Sequence, residues 1–276
     1  MSMAAAVPIT FTFDLEGYGL KGVAAPPIED AVEAILDAAD GIRGTVFVVG
    51  ELARERPDLV AMCTMAGHEI ALHGDRHVPI DQLGEHGFRD DLRRGRAAVE
   101  DAAGESLVGY RAPLFSLTRI TPWAPAILAD EGFSYSSSVL PARSPIRGLP
   151  GAPRAPFRWL DGPVELPCPL GGASRGMLPY LGGVYLRYLP LRLVRRWARG
   201  AGADEALWIY CHPYDADRTG ARLELPHAGR VTTAILGLRR RGTPERIRAV
   251  LDLGAPGAPL RDVAARAGDL PEFALP

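Results

Sequence analysis

The stretch PITFTFDLEG, residues 8–17, decides the fold, because it reads as an apolar strand that ends in two acidic residues and a glycine. Its β-branched and aromatic residues predict a strand over Pro8–Phe13. Residues two apart on a strand face the same side, so Asp14 and Glu16 can point into one pocket while Leu15 points away. Two carboxylates this close need a nearby cation if both are buried. Taken alone, the stretch fits a solvated strand end before a glycine turn better than a functional site.

Strand-like and helical segments alternate along most of the chain. Further strands are predicted at Gly44–Val49, Glu69–Leu72, Leu107–Tyr110 and Leu207–Cys211. Helical patterns cover Ile28–Ala39, Leu52–Ala66, Phe88–Ala103, Pro190–Arg199, Arg230–Arg240 and Pro244–Leu251. This alternation predicts an α/β fold with a mainly parallel sheet and helices packed outside it, and both a barrel and a doubly wound sheet fit. We predict a single domain over residues 1–276, with a loop-rich insertion at about 141–205 and a helical C-terminal extension at about 218–276.

Composition and charge exclude several classes of partner. The 276 residues include 31 Lys+Arg and 33 Asp+Glu, for a formal net charge of -2. This balance argues against nucleic acid or an anionic membrane as the main partner. No apolar run reaches the roughly 18 residues of a membrane span, and no signal peptide is predicted before the first strand. Three cysteines without a CxxC pair, Cys63, Cys168 and Cys211, suit a reducing compartment, so we predict a cytoplasmic protein.

Three further motifs follow predicted strands: GHEIALHGDRH at 67–77, GYRAPLF at 109–115 and LWIYCHPYD at 207–215. His73 and His77 have the four-residue spacing with which two imidazoles share one metal ion. Arg111 can pair with a carboxylate of the first strand, and His212 can act as an acid or base near neutral pH. Each motif alone is also compatible with a buried histidine or a turn. Their shared position at strand ends is typical of α/β active sites.

In this order, the four motifs resemble those of polysaccharide deacetylases, the carbohydrate esterase family 4 group, over roughly Ile9–Asp217. The similarity is greatest to a branch with an FDxE first motif, GHEIALHG before the histidines and a late CHPYD. The run GGVYLR, residues 182–187, is similar to that branch as well. The resemblance implies a distorted (β/α) barrel with about seven parallel strands. It also implies hydrolysis of an N-acyl group, most often N-acetyl, on an amino sugar.

The resemblance implies a metal site at three of these residues. Glu16, His73 and His77 match the positions that bind one divalent ion in the family. Many relatives have an aspartate where Glu16 stands, so the carboxylate of this chain sits one methylene further from the backbone. Zinc is the expected ion for such a hydrolytic site, and manganese, cobalt, nickel and iron fit the same types of ligand.

The resemblance implies acid–base roles for three other residues. Asp14 matches the general base, and Arg111 matches the arginine that pairs with the base and orients it. His212 matches the general acid that protonates the departing amine. A backbone N–H beside the arginine motif, that of Leu114, is expected to help bind the oxyanion.

One position departs from the branch. Ser136 stands where relatives have an aspartate that is associated with tuning the catalytic histidine. A serine can hydrogen-bond His212, but it carries no charge that would raise the pKa of the imidazole. Asp215 and Asp217 are the candidate replacements for the missing carboxylate.

The predicted substrate is an N-acylated sugar attached to a nucleotide, a lipid carrier or a small natural product. Four residues in the insertion or beside the last motif are predicted to line it: Trp159, Glu165, Arg187 and Tyr214. Aromatic rings stack on sugar faces, and an arginine can bind a phosphate. Packing and turn formation are the alternative for all four, and the favoured one for Trp159. No nucleic-acid partner is predicted, and homo-oligomerisation stays open.

Three other functions fit part of the pattern. Non-haem iron oxygenases also use two histidines and one carboxylate, but they are typically all-β proteins with an early HxD pair. A carbohydrate-binding relative without turnover would tolerate the change at Ser136. A metal-independent amidohydrolase of the same fold would not need the set Glu16, His73 and His77, which argues against it.

Overall fold

The strands in the described part of the chain form a single sheet. A computed structural model describes residues 7–17, 28–144, 147–172, 176–219 and 237–275 with their side chains. Its ten strands are β1 (Pro8–Leu15), β2 (Thr45–Val48), β3 (Glu69–Leu72), β4 (Gly109–Tyr110), β5 (Tyr135–Ser136), β6 (Phe157–Trp159), β7 (Val164–Glu165), β8 (Leu207–Ile209), β9 (Ala255–Pro256) and β10 (Glu272–Phe273).

Most of these strands are parallel. Across the sheet their order is β10-β6-β7-β5-β4-β3-β2-β1-β8, and β9 pairs with the start of β1. The seven strands from β7 to β8 in this order all run parallel to one another. Only the pairing of β6 with β7 is antiparallel among the described strands. The sheet curls into a half-barrel, which confirms the predicted α/β fold with a distorted barrel of mostly parallel strands.

The central strands are buried on both faces, as parallel strands are when helices cover the outside of a sheet. Alternate residues contribute to two separate apolar clusters. Phe13 and Leu15 of β1 belong to the larger cluster, whereas Phe47 of β2 and Trp208 of β8 belong to the smaller one. Asp14 lies on the face opposite Phe13 and Leu15 because side chains alternate along a strand. It therefore points to the inside of the half-barrel.

The helices connect the strands on the outside. They are α1 (Ile28–Ala38), α2 (Gly50–Glu55), α3 (Pro57–Met65), α4 (Gly84–Ala103), α5 (Ala124–Asp130), α6 (Gly183–Tyr188), α7 (Leu191–Arg199), α8 (Pro213–Ala216), α9 (Thr243–Leu251) and α10 (Leu260–Arg266). The helix predicted over Leu52–Ala66 is two helices. Arg56 adopts φ -138° and ψ 62° between them, because the residue before a proline is disfavoured in the helical region.

The insertion and the C-terminal extension hold more regular structure than the sequence predicts. The insertion contributes β6, β7, α6 and α7, and β7 joins the main sheet beside β5. In the extension, the helix predicted over Pro244–Leu251 is observed as α9, whereas α10, β9 and β10 were not predicted. The two strands pair with β1 and β6. The predicted helix Arg230–Arg240 falls largely outside the described residues. None of the described helices combines the length and apolar composition that a membrane-spanning helix needs.

Candidate active site

The polar residues of the predicted site gather at one edge of the sheet. Asp14 ends β1, His73 follows β3, Arg111 follows β4 and His212 follows β8. The C-terminal ends of neighbouring parallel strands meet at one edge, where α/β proteins build their active sites. The structure brings together the six residues that were predicted to act in catalysis or metal binding: Asp14, Glu16, His73, His77, Arg111 and His212.

Glu16, His73 and His77 form a group that could hold a metal ion. One ligand atom from each lies within 4.8 Å of the others. Glu16 Oε2 is 3.8 Å from His73 Nε2 and contacts His77 Nε2. Glu16 and His73 are buried, whereas the His77 side chain is 30% exposed. Among the described residues, His77 is therefore the member of this group most open to solvent.

His73 is oriented for metal binding by its second ring nitrogen. Its Nδ1–H donates a hydrogen bond to the backbone carbonyl of Arg111, at 2.8 Å. This bond fixes the tautomer and directs the lone pair of Nε2 towards Glu16, as a second partner does for metal-binding histidines. Burial lowers the pKa of His73 to about 3. The imidazole is therefore neutral at pH 7, which is the form that binds a metal.

Glu16 carries a buried oxygen without a hydrogen-bond donor. Oε2 contacts His77 without hydrogen-bond geometry, and no other group in the described part of the chain donates to it. Burial raises the pKa of Glu16, but the contact with His77 and the nearby His212 and His73 hold it below its usual range. Burial lowers the pKa of His77, and the Glu16 carboxylate more than reverses this. A buried, ionised oxygen beside two imidazoles fits a divalent metal ion.

The turn that carries His73 and His77 is stabilised by contacts with α2 and α4. Gly74 has φ 78°, and a Cβ there would meet the Asp91 carboxylate at 3.2 Å. Asp91 accepts the backbone N–H of Asp75, and Asp75 pairs with Arg54 at 2.6 Å. His77 itself has φ 55°, which is uncommon for a residue with a side chain. Such a backbone conformation costs energy and is typical of functional sites.

Arg111 connects the ends of three strands. Its Nη1 donates to Asp14 Oδ1 at 2.6 Å and to Thr12 Oγ1 at 2.9 Å. Its Nη2 donates to Ser137 Oγ at 3.1 Å, just after β5. The guanidinium lies between the rings of Phe47 and Trp208, at 4.0 and 4.3 Å from their centroids. A planar cation between two aromatic faces is held in one orientation, so Asp14 is as well.

His212 is the first residue of a short helical turn and pairs with the aspartate three residues later. Its Nδ1–H donates to Asp215 Oδ2 at 2.8 Å, and its backbone N–H donates to the same oxygen at 3.0 Å. Its Nε2 faces Asp14 Oδ2 across 3.8 Å. Burial lowers the pKa of His212, but Asp215 and the carboxylates of Glu16 and Asp14 raise it to about 9. The imidazole is therefore protonated at neutral pH.

Asp215, one of the two candidate replacements for the carboxylate missing at Ser136, hydrogen-bonds His212. Ser136 does not contact His212, because its hydroxyl donates to Ser138 Oγ at 2.7 Å. The sequence held a local signal for Asp215. Proline at the first position of a helix, followed two residues later by an acid, is typical of a helix start whose acid bonds back to the capping residue.

Arg187 and Tyr214 were predicted to line the substrate, but they contact Asp215 and His212. Arg187 is buried, and its Nη2 lies 3.2 Å from Asp215 Oδ1. The ring of Tyr214 stacks on His212 with centroids 4.6 Å apart and an angle of 10°. Arg187 therefore contacts Asp215, and Tyr214 contacts His212. These contacts do not support the prediction that the two side chains lie along the substrate.

Trp159 and Glu165 are buried and contact other residues of the chain. Packing, the alternative favoured for Trp159, agrees with these contacts, and they do not support a position of the two residues along the substrate. Trp159 packs edge-on against Phe157, and its indole N–H donates to Glu165 Oε2 at 3.2 Å. Glu165 Oε1 accepts the backbone N–H groups of Ser138 and Val139. These hydrogen bonds stabilise the segment that follows β5. Arg111 contacts the same segment at Ser137.

The backbone at Leu114 fits the predicted oxyanion site. Leu114 has φ 56° and ψ 27°, and its side chain points out to solvent. Its N–H makes no hydrogen bond to any acceptor among the described residues. The turn lies directly after Arg111 and Ala112, whose N–H donates to Ser138 Oγ. An available N–H at this edge of the sheet can bind a developing negative charge.

The geometry agrees with what sequence comparison finds. The family described as "Polysaccharide deacetylase" matches residues 6–126, a range that contains Asp14, the metal-ligand candidates and Arg111. Residues 6–126 are therefore similar to that family, and they make up less than half of the chain. The resemblance predicted from the motifs is therefore confirmed. Residues 137–253 match a second family, described as a domain of unknown function (DUF3473), and they contain His212 and Asp215.

Known structures and relatives of the polysaccharide deacetylase domain agree with the fold. The "putative polysaccharide deacetylase" of Mycobacterium smegmatis has 23% sequence identity and a TM-score of 0.62, covering 98% of this chain and 99% of that one. A CE4 family pseudoenzyme from Bacillus anthracis has 12% identity and a TM-score of 0.51, covering 97% of this chain and 69% of that one. Likenesses at this identity establish the fold alone.

A curated relative of the polysaccharide deacetylase domain is a fungal protein. The "Peptidoglycan deacetylase-like protein FGM2" of Gibberella zeae is 32% identical over 95 residues. The match covers 34% of this chain and 27% of the relative, so the chain spans about a quarter of that protein's length.

Proposed function

We propose that the protein is a metal-dependent hydrolase that removes an N-acyl group, N-acetyl in the first place, from an amino sugar. The observation that carries the proposal is one arrangement at the strand ends. The metal-ligand candidates Glu16, His73 and His77 lie beside an arginine-paired carboxylate, Asp14, and a protonated histidine, His212. A base and an acid on either side of a metal site suit metal-assisted amide hydrolysis.

Glu16, His73 and His77 would hold the ion, and zinc suits their oxygen and nitrogen atoms. When bound, a divalent ion supplies Lewis-acid activation of a water molecule and of the amide carbonyl. Asp14 Oδ1 accepts from Arg111, so Oδ2 remains to accept a proton from the attacking water. The Leu114 N–H donates a hydrogen bond to the carbonyl oxygen as it becomes negative.

His212 completes the reaction on the leaving-group side. As the carbon–nitrogen bond breaks, its Nε2–H donates a proton to the departing amine, which is a poor leaving group without one. Asp215 holds the other ring nitrogen, so Nε2 faces Asp14 and the ligand group. The carboxylate of Asp215 raises the pKa of His212 to about 9 against the effect of burial, and this keeps the proton available at neutral pH.

Replacing Asp215 is expected to change the pH dependence of turnover. Turnover needs protonated His212, so kcat falls as the pH rises through the pKa of that residue, about 9. Asp215→Asn still accepts the Nδ1–H but removes the charge, so the pKa of His212 falls. The alkaline limb of a plot of kcat against pH should move down by about one pH unit or more.

Asp217→Asn is the matched control for this shift, because Asp217 pairs with Arg240 rather than with His212. It removes the same charge two residues away and should leave the alkaline limb in place. An unchanged limb in Asp215→Asn, or an equal shift in both variants, would contradict the role given to Asp215.

Metal analysis tests the proposed function directly. Mass spectrometry of the purified protein is expected to find about one divalent ion per chain. His73→Ala should lose the ion and the release of acetate from N-acetylated amino sugars. His86→Ala is the control, since the side chain of His86 is 93% exposed and pairs with Asp90, outside the candidate site. A wild-type protein that binds no ion after incubation with zinc or cobalt would favour a metal-independent hydrolase.

The alternative of a carbohydrate-binding relative without turnover has less support than the sequence suggested. Its basis was the change at Ser136, and Asp215 supplies a carboxylate to His212 from another position. For the substrate we propose an N-acylated sugar on a nucleotide, a lipid carrier or a small natural product, and for the location the cytoplasm. The three cysteines are buried and unpaired, as is usual in reducing compartments.

A further inference from the structure

A cavity rich in arginine adjoins the candidate general acid. It is lined by Asp217 and by six arginines: Arg187, Arg218, Arg239, Arg240, Arg241 and Arg246. Arg187 connects this cavity to the site at the strand ends, because it pairs with Asp215, the partner of His212. None of the metal-ligand candidates lines the cavity, so it is a separate place on the molecule.

Within the described ranges, carboxylates pair with only two of the six arginines that line the cavity. Arg187 pairs with Asp215, and Arg240 pairs with Asp217 at 2.9 Å. The other four arginines form no ion pair with any carboxylate in the described ranges. Arginine stays charged at any pH a protein experiences, so these charges cannot be removed by titration. Their repulsion is a cost that a bound anion would offset.

Several of the arginines are positioned by contacts with neutral groups. Arg246 is half-buried and donates to the backbone carbonyls of Leu186 and Leu189. Burial lowers the pKa of Arg246, which means that its charge is partly withdrawn from water. Arg239 lies over the ring of Tyr188 at 5.0 Å and has φ 58°, an unfavourable backbone conformation for an arginine. Segments distant in sequence thus bring cations to one cavity, and the described residues supply fewer carboxylates than arginines there.

We propose that this cavity binds a phosphate-bearing group, with pyrophosphate as the simplest ligand. The planar guanidinium donates two parallel hydrogen bonds to phosphate oxygens, and several arginines together match a multiply charged anion. The Asp217 carboxylate faces the same space but is already paired with Arg240. The proposal stands on the cavity alone and does not depend on the metal site or on deacetylation.

Calorimetric titration of wild-type protein with inorganic pyrophosphate tests the proposal. One ion is expected to bind per chain. The double variant Arg239→Ala/Arg241→Ala should weaken binding by about tenfold or more, since two charge-assisted contacts are lost. The matched control is Arg195→Ala/Arg199→Ala, which removes the same charge from exposed positions of α7 that do not line the cavity. It should change the affinity by less than about twofold.

Two further titrations separate this site from the metal site and identify the source of the phosphate. His73→Ala should keep full pyrophosphate affinity even where it has lost metal and turnover. Uridine diphosphate should bind the same cavity, and a higher affinity than that of pyrophosphate would indicate a nucleotide-linked ligand. The proposal is overturned by absent pyrophosphate binding, by equal weakening in both arginine variants, or by loss of binding in His73→Ala.

Discussion

Asp14→Asn is expected to lower kcat by about 10²–10⁴-fold while the metal content stays near that of the wild-type protein. An asparagine keeps the shape of Asp14 and still accepts a hydrogen bond from Arg111, but it cannot take a proton from water. The three metal-ligand candidates are unchanged in this variant. Loss of turnover with retained metal would therefore separate the base from the metal site. The measurements are kcat on an N-acetylated amino sugar and metal per chain by mass spectrometry.

Asp81→Asn is the matched control for the loss of a carboxylate. Asp81 forms an ion pair with Arg147 at 2.8 Å, but this pair lies outside the candidate site. The variant breaks the same kind of contact and should leave kcat within about twofold. If Asp14→Asn kept more than about a tenth of wild-type kcat, the proton acceptor would have to be another group. If it lost the metal as well, Asp14 would contribute to the metal site itself.

The part of the site on β1 could be predicted because a strand has a fixed local period. Two residues on one strand face the same side whatever the rest of the fold does, so Asp14 and Glu16 were placed correctly from their spacing. The bounds of β3 were also predicted correctly, since Glu69–Leu72 is a short run between two glycine-containing turns. The grouping of the other site residues could then be predicted from one rule, that the C-terminal ends of neighbouring parallel strands meet at one edge of the sheet.

Contacts between distant segments could not be predicted in this way. Glu165 reads as a polar residue in a proline- and glycine-rich stretch, yet it is buried and accepts two backbone N–H groups of Ser138 and Val139. Trp159 is buried because β6 pairs with β7, and a three-residue strand is too short to show alternation. The partner of His212 is different, because Asp215 is only three residues away. The sequence already offered Asp215 and Asp217 as candidates, and the position of Asp215 in the proline-started helix favours it over Asp217.

Arg111→Met is expected to destabilise the protein by about 3–5 kcal/mol, because it leaves a buried carboxylate without its partner. The Arg111 side chain is 1% exposed and that of Asp14 is 5% exposed, so water cannot replace the lost contact. Methionine keeps the apolar contacts with Phe47 and Trp208 but donates no hydrogen bond. The loss would be measured as the change in the free energy of unfolding in urea.

Arg96→Met serves as the matched control for this loss of stability. Arg96 also lies over an aromatic ring, Phe133, at 4.0 Å and donates to a backbone carbonyl, but its side chain is 25% exposed. Water can solvate the groups left behind, so the cost should stay near 1 kcal/mol. The double variant Arg111→Met/Asp14→Asn should be more stable than the sum of the two single changes predicts, because the charge that needs Arg111 is gone. Equal losses in Arg111→Met and Arg96→Met, or strict additivity in the double variant, would show that the pair does not stabilise the strand ends. Asp14 would then need another explanation for its fixed orientation.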